Sequence, residues 1–201
     1  ECGGSAVVDE CGVCGGDNST CATVIDIDGN VYETVLIGEQ LWMAENLKVT
    51  HYNNPNEGNN WLGDEIPTGL HGEWQSTSEG AFAIYDDDPF YKEEYGNLYN
   101  WYTIGDERGV CPEGWHVPTN AEWTSLTDYL GGEEIAGGKM KECTEGSCPE
   151  SEFWDSPNTG ATNESGFTGL GAGYKHNSTG SYGGIKQHGS FWPSNDSNTE
   201  R

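Results

Sequence analysis

Seven cysteines, at positions 2, 11, 14, 21, 111, 143 and 148, carry the most chemical potential in this 201-residue chain. A cysteine can ligate zinc, attack a carbonyl or close a disulfide, and its spacing and company decide which. Cys2, Cys11, Cys14 and Cys21 crowd a glycine-rich opening with no helical pattern around them. Cys11-x-x-Cys14 has zinc-ligand spacing, but no histidine lies nearby and the surrounding acids suit harder cations. Disulfides are the expected state of these four, in any of three pairings, which implies an oxidising extracellular compartment. Cys143 and Cys148 flank a four-residue loop and are expected to bridge locally. Cys111 with His116 would make a nucleophile and base, yet a structural partner for Cys111 is the better expectation. His51, His71, His116, His176 and His188 lack the short spacings of a zinc site. Glu45 and Glu122 are a conceivable acid and base, although Glu122 stands where it would cap a helix. With no nucleophile elbow and no phosphate loop, a non-catalytic chain is expected.

Oxygen-rich clusters offer calcium chemistry instead. Asp9, Asp17 and Asn18 in the opening, Asp26, Asp28 and Asn30 further on, and the run Asp86, Asp87 and Asp88 are candidate Ca²⁺ ligands, expected to act structurally. Counted from Asp26, the position where an EF-hand places its bidentate acid is Ile37, so Asp28-Gly29-Asn30 reads better as a turn. Trp61, Trp74 and Trp192 stand near Asn/Asp-rich loops and are candidate stacking surfaces for glycans. Formal charge is −26, from 34 acidic and 8 basic side chains. Such a field repels nucleic acid and anionic membranes and draws divalent cations, so nucleic-acid binding is excluded. No run reaches the roughly 20 apolar residues of a membrane span. The start at Glu1, without a signal peptide, is expected of a mature or excised part of a secreted precursor.

The elements that must position these residues read as α+β. Residues 1–23 form a Cys/Gly/Asp segment, expected to be disulfide-stapled, and residues 24–201 the main domain. Val24–Ile27 and Val31–Ile37 flank Asp28-Gly29-Asn30 as a hairpin, and Gln40–Leu47 reads as a strand. Residues 51–80 form a long polar loop of the kind that is functional or held by packing. Aromatics at 95, 99 and 102 suit one face of a helix. Thr119 followed by Glu122 forms a capping box that opens a helix through Trp123, Leu126, Tyr129 and Leu130, stopped by Gly131-Gly132. Glycine-rich turns are expected beyond it. With 30 glycines and few aliphatics, the core should be aromatic, with most of the 8 tryptophans buried.

Six motifs in order strengthen this reading: Asp26–Tyr32 (DIDGNVY), Leu41–Lys48 (LWMAENLK), Tyr95–Trp101 (YGNLYNW), Cys111–Pro118 (CPEGWHVP), Ala121–Trp123 (AEW) and Pro157–Phe167 (PNTGATNESGF). Together they resemble the Fibrobacter succinogenes major paralogous domain of secreted and surface bacterial proteins. The stretch Val117–Trp123 is also similar to a phrase in formylglycine-generating enzymes and the wider C-type-lectin-like fold. The resemblance implies an irregular α+β domain with short strands, two helices and long ordered loops, often Ca²⁺-stabilised. Family members continue past the Phe191-Trp192 region with strands, the last of which carries a cysteine. The resemblance therefore implies that a C-terminal part is missing from residues 24–201, or that a neighbouring subunit supplies a strand, leaving Cys111 unpaired or partner-paired. The expected function is that of a secreted surface module for adhesion or filament-like assembly, with itself or extracellular glycans as partner. An extracellular carbohydrate-binding module is the alternative, and a formylglycine-generating-type enzyme a more distant one.

Overall fold

The computed structural model describes residues 23–54, 62–69, 74–144 and 148–194. Cys2, Cys11, Cys14, Cys21, Asp9, Asp17, Asn18, Trp61 and His71 lie outside the described residues. The architecture is α+β, with short elements in the order β1 (Val24–Ile25), β2 (Val31–Tyr32), β3 (Thr34–Ile37), β4 (Gln40–Met43), β5 (Phe82–Ala83), α1 (Pro89–Tyr95), β6 (Leu98–Tyr99), α2 (Trp101–Ile104), α3 (Asn120–Tyr129), α4 (Glu133–Met140), β7 (Ala172–Lys175) and β8 (Tyr182–Ile185). Among the described residues the strands form antiparallel pairs, β1 with β2, β3 with β4, β5 with β6 and β7 with β8, with isolated bridges at His51–Glu65, Thr68–Phe82 and Lys141–Gly169 besides. Packing between loops and helices must therefore hold the domain together.

The first hairpin forms at the expected turn, with Val24 opposite Tyr32 and Ile25 opposite Val31. Gly29 takes the left-handed conformation there at φ 85°, which a residue without Cβ adopts freely. The Asp26 carboxylate organises the turn. It accepts from the backbone N–H groups of Asp28 and Asn30, from the Asn30 amide, and from the Tyr32 hydroxyl at 2.6 Å. Tyr32, fully buried, also accepts from the Lys48 N–H at 3.0 Å, which ties the hairpin to the domain.

Two larger apolar clusters follow. Ile37, Trp42, Leu126, Leu130, Ala136 and Phe167 join the second hairpin to α3 and α4. Val49, Tyr52, Ile66, Phe82 and Val110 form the other, under the long polar loop. The described parts of that loop around Tyr52 and Ile66 are held by packing, since neither residue has exposed surface. Two helices are expected; the described residues contain four α-helices. The aromatic spacing at 95, 99 and 102 is not one helix face: α1 ends at Tyr95, Gly96 turns at φ 75°, and Tyr99 sits in β6 before α2 begins. α3 carries its full capping box and is stopped by Gly131 and Gly132, at φ 104° and 103°. The glycine-rich stretch after it holds α4 rather than turns alone. Cys143 and Cys148 form the expected local disulfide, with Cα atoms 5.6 Å apart.

Candidate functional site

A cleft of about 1120 Å³ lies between β4, the Asn97–Ile104 stretch, the Cys111–Pro118 loop and β7. Its walls are aromatic, and Trp42, Trp74, Trp101, Trp115, Trp123 and Trp192 all line it. Trp42 points inward because β4 alternates, and its ring meets Trp123 of α3 at 4.9 Å and Phe167 at 6.0 Å. Phe191 packs on Trp123 and Phe167, at 5.5 and 5.4 Å. Trp192 stands edge-on to Trp101 at 5.6 Å and donates its indole N–H to the Tyr99 carbonyl at 2.8 Å. The Ser194 N–H donates to the Pro118 carbonyl, so this last described stretch runs along the 111–118 loop.

Polar groups in the wall are unevenly satisfied. The Trp42 and Trp123 indole N–H groups and the Asn97 side-chain oxygen are buried without a partner among the described residues. Native proteins pair most such groups, and the three residues that carry them belong to the cleft wall. Lys175 reaches in from β7, donating to the Gly69 carbonyl and the Tyr182 hydroxyl, both at 2.7 Å. Burial holds its ammonium below the usual lysine range, with Asp87 acting in the opposite sense. His116 and Glu122 pair at 2.8 Å on the rim. Glu122 is held below the usual carboxylate range by the Thr119 N–H and by His116. Cys111 lines the cleft and has no disulfide partner among the described residues, and burial pushes its thiol up to about 11. At neutral pH it is a thiol rather than a nucleophilic thiolate.

The candidate residues read from sequence fall in separate places. Trp74 and Trp192 both line the cleft, but Trp74 is not the exposed platform expected. It is 9% exposed, packed with Ala81 and Ala83, and has the Lys175 ammonium 5.3 Å from its ring centre. Trp192 is 42% exposed. Three of the described tryptophans, Trp42, Trp74 and Trp154, are buried, whereas Trp101, Trp115 and Trp123 are only half-buried because they wall an open cleft.

Asp26, Asp28 and Asn30 do come together, but around the turn. The Asp28 oxygens accept from the Thr50 N–H and hydroxyl and meet His51 Nδ1. Asp88 caps α1 by accepting from the Phe90 N–H, and Asp87 accepts from the Tyr182 hydroxyl. Asp86 and Asp87 are left-handed, at φ 54° and 55°. Among the described residues, no group of three or more His, Cys, Asp or Glu side chains is placed to hold a metal ion. Sequence reasoning missed Trp42, Trp101, Trp115, Trp123 and Lys175 as one lining. The apolar run at 41–42 and the Trp-His pair at 115–116 gave no sign that they converge.

No helix among the described residues is long and apolar enough to cross a membrane. No curated protein and no solved structure matches the chain. The family model of the Fibrobacter succinogenes major domain matches residues 35–201, from β3 onward, and the chain belongs to that family.

Proposed function

We propose that the chain is a non-catalytic module of a secreted bacterial surface protein, used in adhesion or assembly, whose aromatic cleft receives a polypeptide segment from a neighbouring subunit. The observation that carries this reading is the cleft wall itself. Trp42 and Phe167 are core residues, 7% and 6% exposed, yet both border open space. Beside them are the Trp42 and Trp123 N–H groups and the Asn97 oxygen, without a partner among the described residues. An extended peptide supplies apolar side chains together with alternating N–H and C=O groups, which suits both deficits. The protonated Cys111 thiol and the tethering of His116 to Glu122 favour binding over chemistry. Cys111 stands where a partner cysteine could cross-link. The local disulfide accords with an extracellular setting. We also read the domain as C-type-lectin-like, with the Val117–Trp123 phrase leading into α3. Calcium stabilisation belongs to this proposal through Asp9, Asp17 and Asn18, because the oxygens of Asp26 and Asp28 already accept hydrogen bonds within the fold.

Light scattering after size exclusion over a hundred-fold range of concentration tests the assembly. Self-association that weakens when Trp42→Ala opens the cleft is the expected result; a monomer throughout, with Cys111 freely alkylated, would overturn it. A second reading, a carbohydrate-binding module, draws on the exposed Trp192 at the lip of the cleft. Binding to a glycan array that is lost in Trp192→Ala would favour it, and silence across neutral and acidic polysaccharides would count against it.

A further inference from the structure

A second, smaller pocket of about 270 Å³ is walled by Lys141, Trp154, Asp155, Asn158, Lys186 and Gln187. Its volume is roughly nine times that of a water molecule in the liquid, which suits a ligand of monosaccharide size. Three features set it apart. Asn158 is 4% exposed, and neither its side-chain nitrogen nor its side-chain oxygen has a partner among the described residues. Its backbone is already engaged, with its N–H on the Pro149 carbonyl and its carbonyl accepting from Ala161. An unsatisfied primary amide at this depth opposes folding and is uncommon in native proteins.

The second feature is charge. The whole chain has 8 basic side chains against 34 acidic ones, and two of the eight, Lys141 and Lys186, border this one pocket. Neither forms an ion pair among the described residues; the Lys141 ammonium lies 4.7 Å from the centre of the Trp154 ring. Asp155, the one acid in the wall, accepts from the Gln187 amide at 3.2 Å. The third feature is strain. Lys186 sits at φ 60° just after β8, a conformation that disfavours any residue with a Cβ and that glycine would adopt freely. Strain of this kind persists where a side chain is wanted at that point.

We propose that this pocket binds a small carboxylate of sugar-acid size. Its carboxylate would lie between the Lys141 and Lys186 ammonium groups, and the Asn158 amide would pair with a neighbouring oxygen. The Trp154 ring gives the site an apolar wall, its own N–H being held by the Gly169 carbonyl at 3.0 Å. This site is separate from the aromatic cleft, and its test does not depend on assembly. Titration of the full chain with sodium glucuronate, followed by calorimetry and by the Asn158 side-chain amide resonances, is the measurement. Glucuronate should bind and shift those resonances, and glucose at the same concentration should not. Lys186→Gly should keep or raise the melting temperature, since it relieves the left-handed strain, while weakening binding about ten-fold or more through loss of a charged hydrogen bond. Lys141→Met, which keeps the apolar stem over Trp154, should weaken binding similarly. An oligo-uronide that binds more tightly than the free acid would also support the site and place its ligand at the end of an acidic glycan. No binding of glucuronate, equal binding of glucose, or an unchanged affinity in Lys186→Gly would overturn the proposal.

Discussion

Single residues carry much of this fold, because its paired strands are too short to do so. Tyr32 shows how. Its hydroxyl donates to Asp26 and accepts from the Lys48 N–H inside a fully buried site. Tyr32→Phe keeps the ring and removes only that oxygen, leaving the part-buried Lys48 N–H without its acceptor and Asp26 without a donor. The expected cost is about 1–3 kcal/mol, read as a lower urea midpoint with an unchanged slope; a midpoint equal to wild type would mean that water replaces the hydroxyl. Arg108 makes a second local clamp, with its guanidinium bonded to Asp106 at 2.7 and 2.8 Å and stacked 3.8 Å over Tyr52. Arg108 holds the Asp106 carboxyl below its usual range, against a smaller opposing effect of burial. A depressed carboxylate stabilises the fold above its unfolded pKa, near 3.9, and the contribution fades as pH falls through the lower folded value. The melting-temperature gap between wild type and Asp106→Asn should therefore be constant from pH 7 to about 5 and close below that. The pair is partly exposed, so the ionic part of the gap should stay within about 1 kcal/mol and shrink in salt.

Between the element and its sequence, legibility depended on whether the signal was local. α3 was readable because a capping box and a double-glycine stop both lie within the helix and its ends. The first hairpin was readable for the same reason, its turn being written in Asp28-Gly29-Asn30. α1 carries a local signal too, since Asp88 followed by Pro89 is an N-cap with proline at the first helical position, but the acidic run Asp86-Asp87-Asp88 also reads as a cation site and masks it. α4 was hidden by Gly137 and Gly138, which argue against a helix on propensity, and only tertiary contact explains one of them. A Cβ on Gly138 would lie 2.3 Å from the Gly160 carbonyl oxygen, whereas one on Gly137 would meet nothing within 4 Å. Gly137→Ala should thus stabilise by roughly 0.5–1 kcal/mol, while Gly138→Ala should be strongly destabilising because the opposing atom is backbone. Thermal melts of the two variants give opposite signs if this packing is right; equal shifts would show that the α4 contact is looser than described. The convergence of Trp42, Trp101, Trp115 and Trp123 on one cleft was illegible for a related reason. It depends on contacts between segments far apart in sequence, which no local pattern records.

At the scale of the whole molecule, the dominant quantity is the formal charge of −26. Carboxylates this numerous repel one another across a small domain and oppose compaction. Few of them are offset, since 8 basic side chains face 34 acidic ones and one of the eight, Arg108, is divided between Asp64 and Asp106. Raising NaCl from about 10 to 150 mM shortens the screening length from roughly 30 to 8 Å, so the melting temperature should climb steeply over that range and flatten above it. Screening and site binding then separate cleanly. CaCl₂ at matched ionic strength reproduces the NaCl curve if calcium acts only as a counter-ion, whereas a bound ion adds a further rise that follows its concentration. The further rise is the expected outcome, and it should vanish with EDTA and in a chain carrying Asp9→Asn and Asp17→Asn together. The same double change leaves the Asp26 turn intact, so a calcium response that survives it would move the ion from the N-terminal segment into the domain. A midpoint unaltered by EDTA at fixed ionic strength would remove calcium from the account and leave the carboxylates as a solvated, self-repelling surface.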